Sequence, residues 1–201
     1  MPATAQQFVS VSVHHGRYSV CHDGQPDECA ANRTAQFVTE DRMNDPISTC
    51  SVVTLDATAT LLVVDAQVAF DDPSWGRRNN PEADPNLSKL LSGFIGTGRP
   101  VVVVRHDSVN PEGLLHPSHP GNRLKDYVRD LTPSLLVTKS VNSSFHGSPD
   151  LHHWLRERDV RQVAIAGMTT NHCCETTARV GGNLGYGLLR SRSRARRRSC
   201  A

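Results

Sequence analysis

Long apolar runs, lysines and aromatic side chains are all scarce in this 201-residue chain. The longest aliphatic runs cover only residues 61–64 and 101–104, whereas a membrane-spanning helix needs about 20 consecutive apolar residues. The basic residues near the start are not followed by an apolar stretch, so no secretory signal is predicted. We therefore expect no transmembrane segment, no membrane partner and a cytoplasmic location.

The net charge is also small, but it is unevenly distributed. The formal net charge is +2, and six of the 22 basic residues are arginines within residues 190–198. Without these arginines, 16 basic residues are outnumbered by 20 acidic ones. A basic surface spread over the fold is not predicted, and nucleic acid is not the expected partner. The Arg/Ser tract itself has two interpretations: a basic arm for nucleic acid or acidic membrane, or an out-of-frame end.

Cysteines at metal-binding or disulfide spacing are missing. The six cysteines include no CxxC pair, so neither a zinc ribbon nor a disulfide framework is predicted. The early group His14, His15, Cys21, His22 and Cys29 matches no common zinc module. We expect no metal and no cofactor, and we expect reduced thiols, one of which can serve as a nucleophile.

Residue composition and apolar periodicity divide the chain into three regions. Residues 1–54 show neither helical nor alternating apolar periodicity, which predicts a disordered or mis-started extension. Met43 offers an alternative start, so the first 42 residues are expected to be dispensable. The folded domain is expected over residues 55–189, followed by the Arg/Ser-rich tail 190–201.

Apolar runs alternate with amphipathic stretches from Thr60 onwards. This alternation predicts right-handed βαβ crossovers and therefore an α/β fold, with three α/β/α layers around a parallel sheet and a Rossmann-like topology. Residues 107–133 are rich in Pro, Gly and His and predict a long functional loop. The predicted strands cover residues 61–64, 101–104, 135–138, 162–166 and 186–189, and the predicted helices cover residues 84–97, 149–158 and 170–181.

Asp65, His106, Lys139 and residues 167–174 each follow a predicted strand directly. Ligands of parallel α/β sheets bind beyond the carboxyl ends of the strands, so these positions are the candidate site. A carboxylate at the end of a buried strand needs a partner. The alternatives are that Asp65 caps a turn and that Lys139 only extends to solvent.

Cys173 is the candidate nucleophile. It lies in the predicted first turn of helix 170–181, where the helix dipole and free backbone amides lower the pKa of a thiol. Cys174 points about 100° away around the helix and is expected to pack as a small buried hydrophobe. The alternative for Cys173 is the same structural role.

Taken together, three segments resemble the isochorismatase-like cysteine hydrolase family, which includes nicotinamidases and N-carbamoylsarcosine amidohydrolase. Asp65-Ala66-Gln67 is similar to the family's Asp-x-Gln motif, Thr138-Lys139-Ser140 to its lysine segment, and residues 167–173 to its nucleophile loop. Lys139 follows Asp65 by 74 positions, and Cys173 follows Lys139 by 34. This order and spacing also match the family.

The resemblance implies a catalytic triad of Asp65, Lys139 and Cys173. Asp65 would be the general base, Lys139 would balance its charge, and Cys173 would attack a carbonyl carbon. The backbone amides of Thr169 and Cys173 would form the oxyanion hole, beside a cis peptide bond between Met168 and Thr169. Because family members that hydrolyse the vinyl ether isochorismate do not depend on a cysteine, Cys173 favours cleavage of a C–N bond in a small amide or carbamoyl substrate.

The resemblance also indicates a substrate pocket, and its limits leave alternatives open. By motif position the pocket residues would be Gln67, Phe70, Trp75, His106 and Phe145. The metal-binding Asp-x-His pattern of nicotinamidases is replaced here, so the expected metal is none. The family continues beyond residue 186 with a further helix and strand, so a C-terminally truncated sheet of lower stability is expected, with a homo-oligomer as one way to cover it. The alternative function is a non-catalytic remnant, or a nucleic-acid-binding protein that uses the Arg-rich tail.

Overall fold

The computed structural model describes residues 10–14, 17–21, 51–53, 55–76, 78 and 80–190. Near the start, strands β1 (Ser10–His14), β2 (Arg17–Cys21) and β3 (Ser51–Val53) form a small antiparallel sheet in the order β1-β2-β3. The register pairs His14 with Arg17 and Ser10 with Cys21, so β1 and β2 form a hairpin.

These three strands differ from the disordered or mis-started extension predicted for residues 1–54, but only in the segments that they cover. The signal was present in the sequence as a short alternation, Ser-Val-Ser-Val from residue 10, followed by a two-residue connection that contains Gly16. Alternation over only four or five residues, joined by such a connection, is typical of a hairpin. The rest of the predicted extension, including Met43, lies outside the described residues.

The main sheet has five parallel strands and confirms the predicted α/β class. Its strands are β4 (Thr60–Val64), β5 (Val101–His106), β6 (Leu135–Lys139), β7 (Gln162–Gly167) and β8 (Gly187–Arg190), in the spatial order β6-β5-β4-β7-β8. Every neighbouring pair is parallel. The chain starts at the central β4, moves outwards to β6, and returns to the other side of β4. The order therefore reverses between β4 and β7, which is where open α/β sheets bind ligands.

Helices cover both faces of this sheet, as three layers require. Helices α1 (Ala83–Gly96) and α2 (Asp126–Arg129) lie on one face, and α3 (Leu151–Arg156) and α4 (Glu175–Asn183) lie on the other. Every residue of β4 is buried. Its apolar side chains alternate between the two layers, with Leu61 facing α1 and Leu62 facing α3 and α4.

Several predicted boundaries shift in the structure. The predicted helix 170–181 begins instead with a π-helical turn, Thr170–Cys174, and only then becomes the α4 helix. The predicted loop 107–133 contains the short α2 helix and a 3₁₀ turn at Pro120–Asn122. No helix among the described residues is both long and apolar enough to cross a membrane. The arrangement brings the carboxyl ends of β4, β5, β6 and β7 to one edge of the sheet.

Candidate active site

Asp65 stands at the centre of this edge, directly after the central strand. Its backbone has a positive φ of 51°, and its N–H donates to the carbonyl of Val104 on β5 at 2.9 Å. A positive φ is uncommon for a residue with a side chain. The turn away from β4 thus begins at Asp65 itself, while a β5 carbonyl holds its backbone.

Lys139 and Asp65 form a fully buried ion pair. Lys139 is the last residue of β6, and its Nζ lies 2.7 Å from Asp65 Oδ2, with neither side chain exposed to solvent. Burial raises the pKa of Asp65 above the ordinary value, although the charge and the hydrogen bond of Lys139 oppose this effect. A carboxylate of raised pKa is a stronger base than one at the surface. Of the two interpretations of Lys139, extension to solvent is wrong.

Cys173 completes this group from the nucleophile loop. One ligand-type atom each from Asp65, His106 and Cys173 lies within 4.8 Å of the other two. Asp65 Oδ1 accepts no close hydrogen bond within the described part of the chain. The thiol therefore lies beside a buried carboxylate oxygen that is free to take a proton.

The protonation state of Cys173 differs from the prediction. Burial and then the negative charge of Asp65 raise the pKa of the Cys173 thiol to about 12, whereas the helix position predicted a lowered pKa. The side chain is only 8% exposed, and its turn is π-helical. Desolvation and a neighbouring carboxylate thus outweigh the helix dipole. Cys173 is a neutral thiol that needs a base.

Cys174 belongs to the apolar layer, as its helical position predicted. It is buried in the cluster that packs beneath α3 and α4, together with Leu62 and Ala178. Burial raises the pKa of the Cys174 thiol well above its ordinary value. Cys174 is thus a matched internal control for Cys173 in substitution and thiol-labelling experiments.

The loop before Cys173 is pressed against the backbone of β4. Gly167 ends β7 with a φ of +147°, and a Cβ placed there would lie 1.9 Å from the carbonyl oxygen of Val64. The same oxygen accepts a hydrogen bond from Met168 N at 2.8 Å. The peptide bond between Met168 and Thr169 is cis, as the resemblance implies. Only glycine fits at position 167 in this approach.

Gln67 is placed differently from the prediction. It was expected to line the substrate pocket, but its side chain is fully buried. Its Nε2 donates to the carbonyls of His106 and Asn122 at 3.0 and 2.8 Å, and its Oε1 accepts from His106 N at 2.9 Å. A side-chain amide whose hydrogen bonds all go to backbone acts on its neighbours rather than on a ligand. Gln67 therefore fixes the end of β5.

The predicted aromatic pocket residues lie in two separate places. Phe70 is buried and its ring lies 5.2 Å from that of Trp75, which is 46% exposed. Phe145 stacks on Tyr186 at 5.7 Å and packs against the layer that contains Cys173. The structure therefore brings Phe70 and Trp75 together, while Phe145 lies apart from them, against the apolar layer that contains Cys173.

His106 faces the ion pair from the end of β5. Its Nδ1 lies 3.1 Å from Lys139 Nζ, and the residue is half-buried. Burial and the charge of Lys139 lower the pKa of the imidazole. Next to it, Asp107 forms a two-point ion pair with Arg105 at 2.8 and 2.9 Å. Burial raises the pKa of Asp107, but hydrogen bonds from Arg105 and Asn122 outweigh it and leave that pKa below the usual value.

The donor set of Asp65, His106 and Cys173 is of a kind that can bind a transition metal. Lys139, however, donates to both Asp65 and His106, at 2.7 and 3.1 Å. A metal cation between those two ligands would have to displace a buried ammonium. The residues therefore fit a charge-balanced acid–base site better than a metal centre.

Sequence reasoning missed two features near the site. Asn142 has its Oδ1 3.9 Å from Cys173 Sγ, and its position three residues after Lys139 was the available signal. The second is a network that we call the Lys125 network, in which two cations meet two carboxylates and a phenol. Its members are Lys125, Arg78, Asp71, Asp84 and Tyr127. Lys125 and Tyr127 follow the other three members by at least 41 positions, so no local pattern reveals the network.

Comparison with known proteins identifies the family. The model of the isochorismatase domain matches residues 59–189, which is more than half of the chain. The chain belongs to the isochorismatase family. The isochorismatase family protein YrdC of Bacillus subtilis (strain 168) is 42% identical over 126 residues, which are 63% of this chain and 67% of YrdC. The predicted family is confirmed.

Solved structures support the same assignment. An isochorismatase family protein from Chromobacterium violaceum ATCC 12472 is 33% identical, with a TM-score of 0.62 over 73% of this chain and 72% of the other. N-carbamoylsarcosine amidase from Thermoplasma acidophilum is 23% identical, with a TM-score of 0.55 over 65% of this chain and 79% of the other. The second likeness shows the shared fold. This chain is therefore an isochorismatase-family hydrolase.

Proposed function

We propose that this isochorismatase-family hydrolase cleaves the C–N bond of a small amide or carbamoyl compound, with Cys173 as nucleophile and with Asp65 and Lys139 as its partners. The observation that carries the proposal is the buried Lys139–Asp65 pair at 2.7 Å beside the Cys173 thiol. A vinyl ether can be hydrolysed without a thiol, so this constellation supports acyl transfer.

The first half of the reaction uses Asp65 as base and then as acid. Asp65 takes the Cys173 proton while the sulfur attacks the carbonyl carbon of the substrate. The backbone amides of Thr169 and Cys173 donate to the oxyanion of the tetrahedral intermediate. Asp65 returns the proton to the leaving nitrogen and the C–N bond breaks. The amine departs, and the acyl group remains bound to Cys173 as a thioester.

The second half reverses the roles with water. Asp65 takes a proton from a water molecule, whose oxygen attacks the thioester carbon. The C–S bond then breaks, the carboxylic or carbamic acid leaves, and the proton on Asp65 restores the Cys173 thiol. Lys139 keeps its proton throughout, because its charge stabilises the ionised form of Asp65 inside the protein.

The test is whether the protein hydrolyses any of a panel of small primary amides and ureido compounds, with ammonia release as the measured signal. We expect Cys173→Ala and Asp65→Asn to lower kcat by at least about 100-fold, and Cys174→Ala to keep most of the activity. Intact-protein mass spectrometry during turnover should show an acyl adduct on wild type and none on Cys173→Ala. If no compound is hydrolysed and no adduct forms, the non-catalytic interpretation is favoured.

A further inference from the structure

The backbone of His106 is held on both sides by buried side-chain amides. Its N–H donates to Gln67 Oε1 at 2.9 Å, and its carbonyl accepts from Gln67 Nε2 and from Asn122 Nδ2, each at 3.0 Å. Gln67 and Asn122 are themselves buried. Three hydrogen bonds to one residue at the end of a strand fix where its side chain begins, so the imidazole is preorganised.

The ion pair fixes the tautomer of that imidazole. Lys139 Nζ lies 3.1 Å from His106 Nδ1, and an ammonium can only donate. Nδ1 must therefore be the unprotonated acceptor, and the single proton of the neutral ring sits on Nε2. The proximity of Lys139 also disfavours a second proton on the ring, which agrees with the lowered pKa of His106.

The Nε2–H of His106 is left for a ligand. Nε2 has no hydrogen-bond partner among the described residues, and it is not one of the fully buried unpaired atoms. A ring nitrogen of the same residue lies within 4.8 Å of the Cys173 sulfur. The ring thus lies beside the thiol, and its Nε2–H has no protein acceptor among the described residues.

We propose that His106 binds the substrate as a neutral Nε2–H donor, and that the substrate carries a second, uncharged hydrogen-bond acceptor close to the scissile C–N bond. The acceptor is uncharged because the charges around it already balance: Asp65 pairs with Lys139, and Asp107 pairs with Arg105. Substrates of this class have a second carbonyl or a ring nitrogen next to the amide. The proposal rests on the proposed amide hydrolysis for its substrate class, while the tautomer rests on geometry alone.

The tautomer is tested without any substrate. Two-bond ¹H–¹⁵N correlations of the histidine rings should show His106 with a protonated Nε2 and an unprotonated Nδ1 in the wild-type protein. Lys139→Met should remove this preference, and His106→Gln identifies the signal by its loss. A protonated Nδ1 on His106 in wild type would overturn the inference, whether or not the protein hydrolyses amides.

The acceptor is tested with two amides of the same shape. Malonamide has a second carbonyl where isovaleramide has a branched alkyl group. In the Cys173→Ala protein, which cannot turn either over, we expect malonamide to bind about tenfold more tightly than isovaleramide, as followed by the His106 Nε2 signal. Equal binding of the two, or tighter binding of the malonamate anion than of malonamide, would contradict the proposal.

Kinetics separate the His106 proposal from the proposed function. In wild type, kcat/KM should favour malonamide over isovaleramide by about tenfold. His106→Leu should abolish this preference mainly through KM, and His106→Gln should retain part of it because a Gln can accept from Lys139 and still donate. If no compound of the panel, including these two amides, is hydrolysed but malonamide binds selectively, the proposed function fails and the His106 proposal stands. If both amides are hydrolysed with no preference that depends on His106, the proposed function stands and the His106 proposal fails.

Discussion

At the scale of single residues, the site depends on a carboxylate kept where its charge is disfavoured. Burial raises the pKa of Asp65, and the negative charge of Asp65 in turn helps to raise the pKa of Cys173 to about 12. The charge of Asp65 therefore disfavours ionisation of the Cys173 thiol. In the proposed mechanism, the Cys173 thiol therefore becomes a good nucleophile only when Asp65 accepts its proton.

This coupling predicts that Asp65→Asn makes the Cys173 thiol more reactive towards an alkylating reagent, although the same variant loses amide hydrolysis. Asp65→Asn removes the negative charge next to Cys173 and leaves the charge of Lys139, so the pKa of the thiol should fall and more thiolate should be present at about pH 9. We expect iodoacetamide to label Cys173 faster in this variant than in wild type, even though amide hydrolysis is lost. Labelling is measured at Cys173 by peptide mass mapping.

Cys174 supplies the internal control for that experiment. Its thiol is buried in the apolar layer, so its labelling should stay slow in wild type and in Asp65→Asn. Faster labelling of both cysteines would mean that the variant has loosened the fold. Slower labelling of Cys173 in Asp65→Asn would contradict the coupling.

The sequence predicted which residues meet here, because each follows a strand and parallel strands end at one edge of the sheet. The strand-end rule marked Asp65, Lys139 and residues 167–174 as candidates, and the family resemblance implied the triad of Asp65, Lys139 and Cys173. The sequence could not predict how deeply each side chain is buried or which groups surround it. The direction of the Cys173 pKa shift depends on desolvation, and the placement of Gln67 depends on which backbone groups lie within its reach. Both are properties of the packed structure.

At the scale of elements, the loop after β4 is anchored by the Lys125 network. Lys125 Nζ lies 2.7 Å from Asp71 and 2.6 Å from Asp84, the latter in the first turn of α1. Arg78 reaches the same two carboxylates and also donates to the carbonyl of Phe70 at 3.2 Å. The network thus ties the loop that carries Phe70 and Trp75 to the start of α1.

Lys125→Met is expected to destabilise the protein by about 2 kcal/mol, because a nearly buried ammonium is lost while Asp71 and Asp84 remain. The expected loss is moderate because Asp71 is half exposed and Arg78 still neutralises both carboxylates. The measurement is the free energy of urea unfolding. Lys89→Met on the exposed side of α1 is the matched control and should change stability by less than about 0.5 kcal/mol. Equal effects of the two substitutions would show that the network contributes nothing.

The elements themselves were predicted to different degrees. The strands of the main sheet were evident because they are short, continuous apolar runs, which is how a strand buried on both faces is composed. The α2 helix was missed because it has only four residues, among the Pro and Gly of a predicted loop. The turn at Thr170–Cys174 was predicted as α-helix, since one extra residue per turn leaves no trace in hydrophobic periodicity.

At the scale of the whole molecule, the sheet separates two apolar cores, and both described buried cysteines lie in one of them. The layer between the sheet and α1 contains Leu61 and Val63 and no residue of the proposed triad. The layer between the sheet and helices α3 and α4 contains Leu62 and both buried cysteines. Neighbouring residues of one strand thus support different parts of the protein, because successive side chains of a strand point to opposite faces.

Leu61→Ala and Leu62→Ala should therefore cost similar stability but affect the cysteines differently. Both side chains are fully buried, and each truncation is expected to lower the free energy of unfolding by about 2 to 5 kcal/mol. Global unfolding exposes Cys174 alike in both variants, whereas the cavity left by Leu62 opens directly into its layer. We expect iodoacetamide to label Cys174 faster in Leu62→Ala than in Leu61→Ala under native conditions, after correction for the stability measured in urea. Equal labelling would mean that the two layers loosen together, and the sheet would then not isolate the layer that contains Cys173 and Cys174 from the layer beneath α1.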